Sequence, residues 1–226
     1  MSRDSLKLIR NLSNISKSIA FKQGNHIRVM NGSETIIGDL TIPESFPVDF
    51  NIAEVNKMVG MADLKIISHG DLKLKFDNTH LVFKCNGNSV RYRYTNRAFV
   101  EAPDGDIGDP NPDFVLEISE EELFGFLSTA SSLKLSLVTF VATEDKIMIR
   151  ATDPDLGDES NDIEVVVADN TTGLEANEFV ILLENLPLFP GDYNIVIDSS
   201  GFAMFTCSTA PEGSSLRYMI GVEVAI

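Results

Sequence analysis

The chain repeats itself, and the repeat constrains its fold more than any other feature. "DLKLKFDNTHLVFKC" (71–85), followed by "SVRY" (89–92), returns as "DYNIVIDSSGFAMFTC" (192–207), followed by "SLRY" (215–218). Asp71 and Asp77 match Asp192 and Asp198, Cys85 matches Cys207, and Arg91 matches Arg217. Self-similarity on this scale predicts two copies of one structural unit. With 226 residues, each copy has enough chain to bury its own core. Apolar residues alternate with polar ones in both stretches, and Asn, Gly and Ser punctuate them. They therefore read as antiparallel strands joined by tight turns.

The order of elements recurs upstream. The first half reads as a helix over about 5–17, strands at "SIAFKQG", "HIRVM" and "TIIGDLTI", then a helix in "NIAEVNKMVGMA" from residue 51. The second half opens its helix at "SEEELFGFLSTASSL". There Ser119 and Glu122 form an S-x-x-E capping box, and Glu120, Glu121 and Glu122 suit the positive helix N-terminus. Strands are expected at "LKLSLVTFVAT", "KIMIRAT" and "IEVVVAD", then a shorter helical segment, "LENLPLF", interrupted by Pro187. The fold expected is α+β, with two similar domains at 1–96 and 114–226, each carrying two helices on antiparallel sheet. Between them "RAFVEAPDGDIGDPNPD" (97–113), rich in Pro and acid, reads as an extended linker.

Charge is divided unevenly. Residues 1–100 hold 14 Lys+Arg against 9 Asp+Glu, while 101–226 hold 4 against 25, for a net charge of -16. Most of such a surface repels nucleic acid, so any contact with it is confined to a local patch. The opening "RDSLKLIRNLSNISKSI" supplies a candidate: at the helical advance Arg3, Lys7, Arg10 and Lys17 share one stripe, and Leu8, Leu12, Ile15 and Ile19 lie opposite. Taken alone, such a stripe is the ordinary solvated face of a surface helix.

Motifs of catalysis are missing from the sequence. There is no glycine-rich phosphate loop, H-E-x-x-H or nucleophile elbow, and His26, His69 and His80 lack ligand spacing. The chain is expected not to be an enzyme and to need no cofactor. "DGDIGD" and "DPDLGDESND" depart from the calcium-loop pattern and read as solvated acidic loops, so no metal is expected. Cys85 and Cys207 are expected to be free, buried thiols. No apolar run reaches the ~18 residues of a membrane span and no signal-peptide pattern opens the chain, so a cytoplasmic protein without membrane contact is expected, in the host cytoplasm if viral.

Taken together, the opening helix with its "SIAFKQG" strand, the shared order of elements, "LPLFPGDYNIVI" (186–197) and the closing "LRYMIGVEVA" (216–225) resemble the sliding clamps. These are ring-shaped polymerase processivity factors, and the likeness is greatest to the trimeric clamps of T-even-type bacteriophages. The resemblance covers nearly the whole chain and rests on joint order rather than on one sharp motif. It implies the DNA-clamp fold and a homotrimeric ring of six domains, with helices lining the hole and sheets forming the wall. It also implies double-stranded DNA held without regard to sequence, a replicative DNA polymerase and an ATP-dependent clamp loader as partners. Arg3, Lys7, Arg10 and Lys17, with Lys57 on the second helix, would then face DNA phosphates. The alternative is a duplicated structural or protein-interaction module that binds no DNA.

The second half departs from a uniformly basic ring. Matching Phe126, Ala130 and Leu133 to Leu8, Leu12 and Ile15 places Glu121, Gly125, Ser128 and Ser132 where the first helix has Arg3, Lys7, Arg10 and Asn14. Two more expectations follow from the resemblance. Subunits would meet through the strands at 88–95 and 161–169, with Arg91 and Arg93 alternating with Tyr92 and Tyr94 on one, and Asp162, Glu164 and Val166 on the other. The alternative is that these charges only protect exposed edges. Partner peptides would dock in a pocket built from Phe99, Ile107, Phe114, Val222, Val224 and Ile226, unless the apolar C-terminal tail merely completes the sheet.

Overall fold

The computed structural model describes residues 1–67, 72–103, 108–112, 114–155, 161–169, 177–198 and 200–225. Two compact units emerge: Met1–Gly105 with Ala210–Leu216, and Asp106–Thr209 with Arg217–Ile226.

The first unit begins with helix α1 (Arg3–Leu12). Ser2 caps it by accepting from the Ser5 amide, and Asp4 sits in the first turn. The helix is shorter than the expected 5–17 stretch. The Ser13 amide bonds back to Arg10 and Asn11, and the Ser13 hydroxyl donates to the Arg10 carbonyl, so local side-chain bonding ends the helix although the apolar spacing runs on. Strands β1 (Ile19–Phe21), β2 (Gly24–Met30), β3 (Ile36–Phe46) and β4 (Phe50–Ile52) follow. β1 pairs with β4, with Ile19 opposite Ile52 and Ala20 opposite Asn51, and this pairing claims the start of the expected second helix. That helix, α2, runs only from Val55 to Gly60. Strands β5 (Lys73–Phe76), β6 (His80–Cys85) and β7 (Asn88–Arg93) form a three-stranded sheet in that order.

Leu6, Leu8, Ile9 and Leu12 of α1 are buried, and the helix lies close on β3. Gly38 permits that approach: a Cβ there would stand 2.7 Å from Leu12 Cδ2 and 2.7 Å from Ile15 Cδ1. Phe21 stacks on Phe50 at 4.5 Å, and Phe46, Phe76 and Tyr94 close around that pair. Aromatic packing of this kind adds to the stabilisation from area burial alone.

The second unit holds β8 (Phe114–Ile118), α3 (Glu120–Ser132), β9 (Leu137–Ala142), β10 (Lys146–Thr152), β11 (Ile163–Asp169) and β12 (Asn177–Leu182). It continues with β13 (Tyr193–Asp198), β14 (Phe202–Cys207), β15 (Ser215–Gly221, of which Arg217 onward belongs to this unit) and β16 (Glu223–Ala225). One sheet runs β11-β10-β9-β12-β16, and β14 pairs with both β13 and β15. The capping box of α3 is formed in full between Ser119 and Glu122. Asp192 adds a cap from far along the chain by accepting from the Glu120 amide at 2.7 Å. Leu123, Phe126 and Ala130 are buried on its inner side, but Leu133 is 39% exposed, so the match of Leu133 to the buried Ile15 fails at the helix end. The expected "LENLPLF" helix is a single 3-10 turn at Leu183–Asn185. The loop after it is pinned by two buried tyrosines: Tyr193 donates to the Phe189 carbonyl, and the Phe189 amide donates to the Tyr218 hydroxyl.

Cys85 and Cys207 are free and buried. No helix among the described residues is long and apolar enough to cross a membrane. Gly157 and most of the two acidic loops lie outside the described residues, as does His69. Of the other histidines, His26 hydrogen-bonds Asp39 and His80 hydrogen-bonds Thr79.

Candidate nucleic-acid interface

The buried row of α1 fixes which residues point outward. Arg3, Lys7 and Arg10 are all exposed, as is Lys57 on the adjoining α2. Lys17 is exposed too, but it lies beyond the helix end, so it extends the row from a loop rather than from the helical stripe.

Tertiary structure adds acids that the stripe alone did not reveal. Asp63, in the turn after α2, takes an ion pair from Arg10 and lies 3.9 Å from Arg3. Lys7 pairs with Asp4 at 2.9 Å and Lys57 with Glu54 at 2.7 Å, both at i,i+3 spacing. The Glu54 carboxylate holds the Lys57 ammonium above the ordinary lysine range. Arg3, Lys7, Arg10, Leu6, Val59 and Asp63 line a shallow groove between the two helices. Of the five expected DNA-facing cations, four are tied to a carboxylate and Lys17 forms no ion pair among the described residues. To hold a phosphate, these four cations would have to share it with, or exchange it for, their carboxylate partners. On α3 the corresponding Glu121, Gly125, Ser128 and Ser132 are exposed and carry no positive charge.

The two strands expected to join subunits are both sheet edges: β7 ends the β5-β6-β7 sheet and β11 ends the five-stranded one. In register, Arg91 lies opposite Val82 and Arg93 opposite His80, while Tyr92 lies opposite the buried Leu81. Tyr92 donates to the Glu54 carbonyl and Tyr94 packs on Phe50, so both tyrosines are engaged within their own unit. Burial pushes the Tyr94 hydroxyl up to about 12. Arg91 and Arg93 therefore sit on the sheet face turned away from α2. On β11, Glu164 lies opposite Arg150 and Val166 opposite Met148, whereas Ile163 and Val165 lie opposite the buried Ala151 and Ile149. Asp162 and Glu164 are exposed, and Val166 is 51% exposed.

The expected peptide pocket needs correction. Phe114 has no exposed surface: it packs against Phe140 and Phe179 inside the second unit and offers nothing to a peptide. Phe99 is 77% exposed on the 3-10 turn Arg97–Phe99. Val222 is nearly buried, with its amide donating to the Gly201 carbonyl. β16 pairs with β12, placing Val224 opposite Phe179. Ile107 and Ile226, and the side chain of Val224, lie outside the described residues.

No protein-family profile matches the chain. It is similar to three proteins named Sliding clamp. The one from Escherichia phage RB69 is 22% identical over 99% of this chain and 96% of its own length. That of Vibrio phage KVP40 is 24% identical over 99% and 98%. That of Enterobacteria phage T4 is 22% identical over 99% and 96%. Among solved structures, a chain of the complex "C-terminal region of FEN-1 bound to A. fulgidus PCNA" superposes with a TM-score of 0.76 at 12% identity, covering 100% of this chain and 98% of that one. Proliferating Cellular Nuclear Antigen from Entamoeba histolytica gives 0.70 at 11% identity, over 97% and 94%. These likenesses show the fold: the chain has the duplicated α+β architecture of those chains.

Proposed function

We infer that this chain is a DNA sliding clamp, a non-enzymatic ring that encircles double-stranded DNA and tethers the replicative polymerase for processive synthesis. The observation that carries the reading is the exposed row Arg3, Lys7 and Arg10 on a helix whose opposite face is sealed in the core of a clamp-fold domain. Phosphate contacts position a protein without specifying bases, which is what a clamp that must pass every sequence requires. A ring linked topologically to DNA needs little affinity, and the acids beside each cation suit that need. Tethering then acts through effective concentration: a polymerase that lets go of the primer end rebinds as an intramolecular event.

The finer architecture is part of the same reading. Domains at 1–96 and 114–226, joined by 97–113, give six domains in a homotrimer closed head to tail. Ring closure pairs β7 of one subunit with β11 of the next, and two facts support this pairing. Both strands are open edges, and their outward charges, Arg91 and Arg93 against Asp162 and Glu164, are opposite and form no ion pair among the described residues. An ATP-dependent loader opens the ring, and the polymerase docks near Phe99 and the C-terminal strand.

The test is primer extension on a singly primed circular template with polymerase and loader, with and without this chain, beside light scattering of the free protein. Long products that depend on the chain, and a particle of three subunits, are the expected result. Products of unchanged length would reject tethering.

A further inference from the structure

The three-stranded sheet of the first unit carries a second basic surface, distinct from the helix row. Reading across the strands, Lys73 lies opposite Lys84, which lies opposite Ser89; Lys75 lies opposite Val82, which lies opposite Arg91; and His80 lies opposite Arg93. Residues in register share a face, so Lys73, Lys75, Lys84, Arg91 and Arg93 all stand on one side of the sheet, and all five are exposed. The other side is apolar: Leu74, Phe83 and Val90 align there, as do Phe76, Leu81 and Tyr92. Asp77 pairs with Lys75 at 3.0 Å. Among the described residues Lys73, Lys84, Arg91 and Arg93 form no ion pair, whereas the helix row is largely neutralised by Asp4, Glu54 and Asp63.

A second feature points to a ligand. Lys73 and Lys84 face each other directly across two strands, an arrangement of like charges that destabilises a sheet unless an anion lies between them. Both line a concavity at the sheet end, completed by Asn86, Gly87, Asn88 and Ser89 of the β6–β7 turn. That turn is rigidly specified: Asn86 and Gly87 both have positive φ, 49° and 84°, as a two-residue hairpin of this type requires. Two ammonium groups and a polar turn thus converge on one open site, and Lys75 continues the positive surface along the strand.

We propose that this sheet face binds the phosphodiester backbone of nucleic acid on the outside of the ring, with Lys73 and Lys84 sharing a phosphate and Lys75 holding the next. The flat grid lacks an exposed aromatic residue on which bases could stack, so it reads backbone charge and takes duplex rather than unstacked single strands. It rests on the clamp reading for the ring itself and for taking nucleic acid as the polyanion. The surface gives the ring a second, loading-independent contact with DNA in a protein whose remaining surface is mostly acidic.

A covalently closed duplex circle tests this, because it cannot be threaded by end entry. Without loader, fluorescence anisotropy should show salt-sensitive binding of the circle. A chain with Lys73→Gln, Lys75→Gln and Lys84→Gln should bind at least about tenfold more weakly, with the salt slope reduced by about 0.9 per lysine lost. The opposite change, Asp77→Asn, should tighten binding. Unchanged binding in either variant overturns the proposal. So does loss of circle binding in a Lys7→Gln, Arg10→Gln chain with retention in the triple variant, which would assign the circle to the helix row. Displacement by a glutamate-rich peptide at equal charge concentration would mark a site for acidic protein instead, and also overturns it. Light scattering and primer extension on the triple variant keep the result separate from the clamp reading: both should stay as in the parent chain.

Discussion

The Arg10 guanidinium donates to the Asp63 carboxylate, fifty-three residues along the chain, on the face of the first unit proposed to meet DNA. The same carboxylate lies 3.9 Å from Arg3, so one acid restrains two of the cations on α1. Asp63 thereby limits how firmly the row can hold phosphate. Asp63→Asn should tighten binding to linear duplex DNA and steepen its salt dependence by up to about 0.9 for each arginine released. Lys7→Gln with Arg10→Gln should do the reverse, shorten products in primer extension and leave thermal stability nearly unchanged. A salt slope unaffected by Asp63→Asn would show that Arg3 and Arg10 do not touch phosphates.

Ring closure makes a prediction of charge exchange. Arg91→Glu with Arg93→Glu should convert the trimer into monomers, and adding Asp162→Lys with Glu164→Lys should restore it. Facing pairs across strands contribute roughly 0.2–1 kcal/mol each, so the charges choose partner and register while the exposed Val166 adds apolar burial. Light scattering at low micromolar concentration reads the outcome. A trimer that persists in the first double mutant would place the seam elsewhere.

The C-terminal strand separates two roles by deletion. β16 completes a sheet by pairing with β12, so removing the last three residues uncovers the β12 edge without touching β7 or β11. Polymerase affinity should fall while the trimer remains. Equal affinity before and after trimming would leave the tail as sheet completion alone.

Asp39 links stability to pH. It is buried, which pushes its pKa up, but hydrogen bonds from His26 and Arg28 outweigh that and hold it below the ordinary carboxylate range. A carboxylate depressed in the folded state stabilises the fold above its unfolded pKa, and that contribution is lost as pH falls through the folded value. Thermal stability should therefore decline from about pH 4 downward, and Asp39→Asn should flatten this decline. At neutral pH the substitution should lower stability, because it removes the carboxylate charge that the part-buried Arg28 pairs with at 2.8 Å. An unaltered acid limb in Asp39→Asn would assign the pH dependence to other carboxylates.

Much of this was legible in the sequence because it depends on local spacing. The repeat, the strand alternation, the Ser119–Glu122 cap, and the outward turn of Arg3, Lys7 and Arg10 all follow from periods of 2 and 3.6 and from one turn of helix. Other features were set by parts distant in sequence. The end of α1 was decided by Ser13 bonding to Arg10 while Ile15 stayed buried beyond the helix, so apolar spacing overstated its length. Phe114 follows the linker and looked available for a pocket, but Phe140 and Phe179 enclose it, and alternation reports which face a residue takes rather than what covers that face. Asp63 reached Arg3 and Arg10 only because α2 packs against α1. Periodicity by itself determined which side chains face outward; only the tertiary structure decided which of those outward charges meet, because an ion pair depends on distance in space and chain separation carries no record of it.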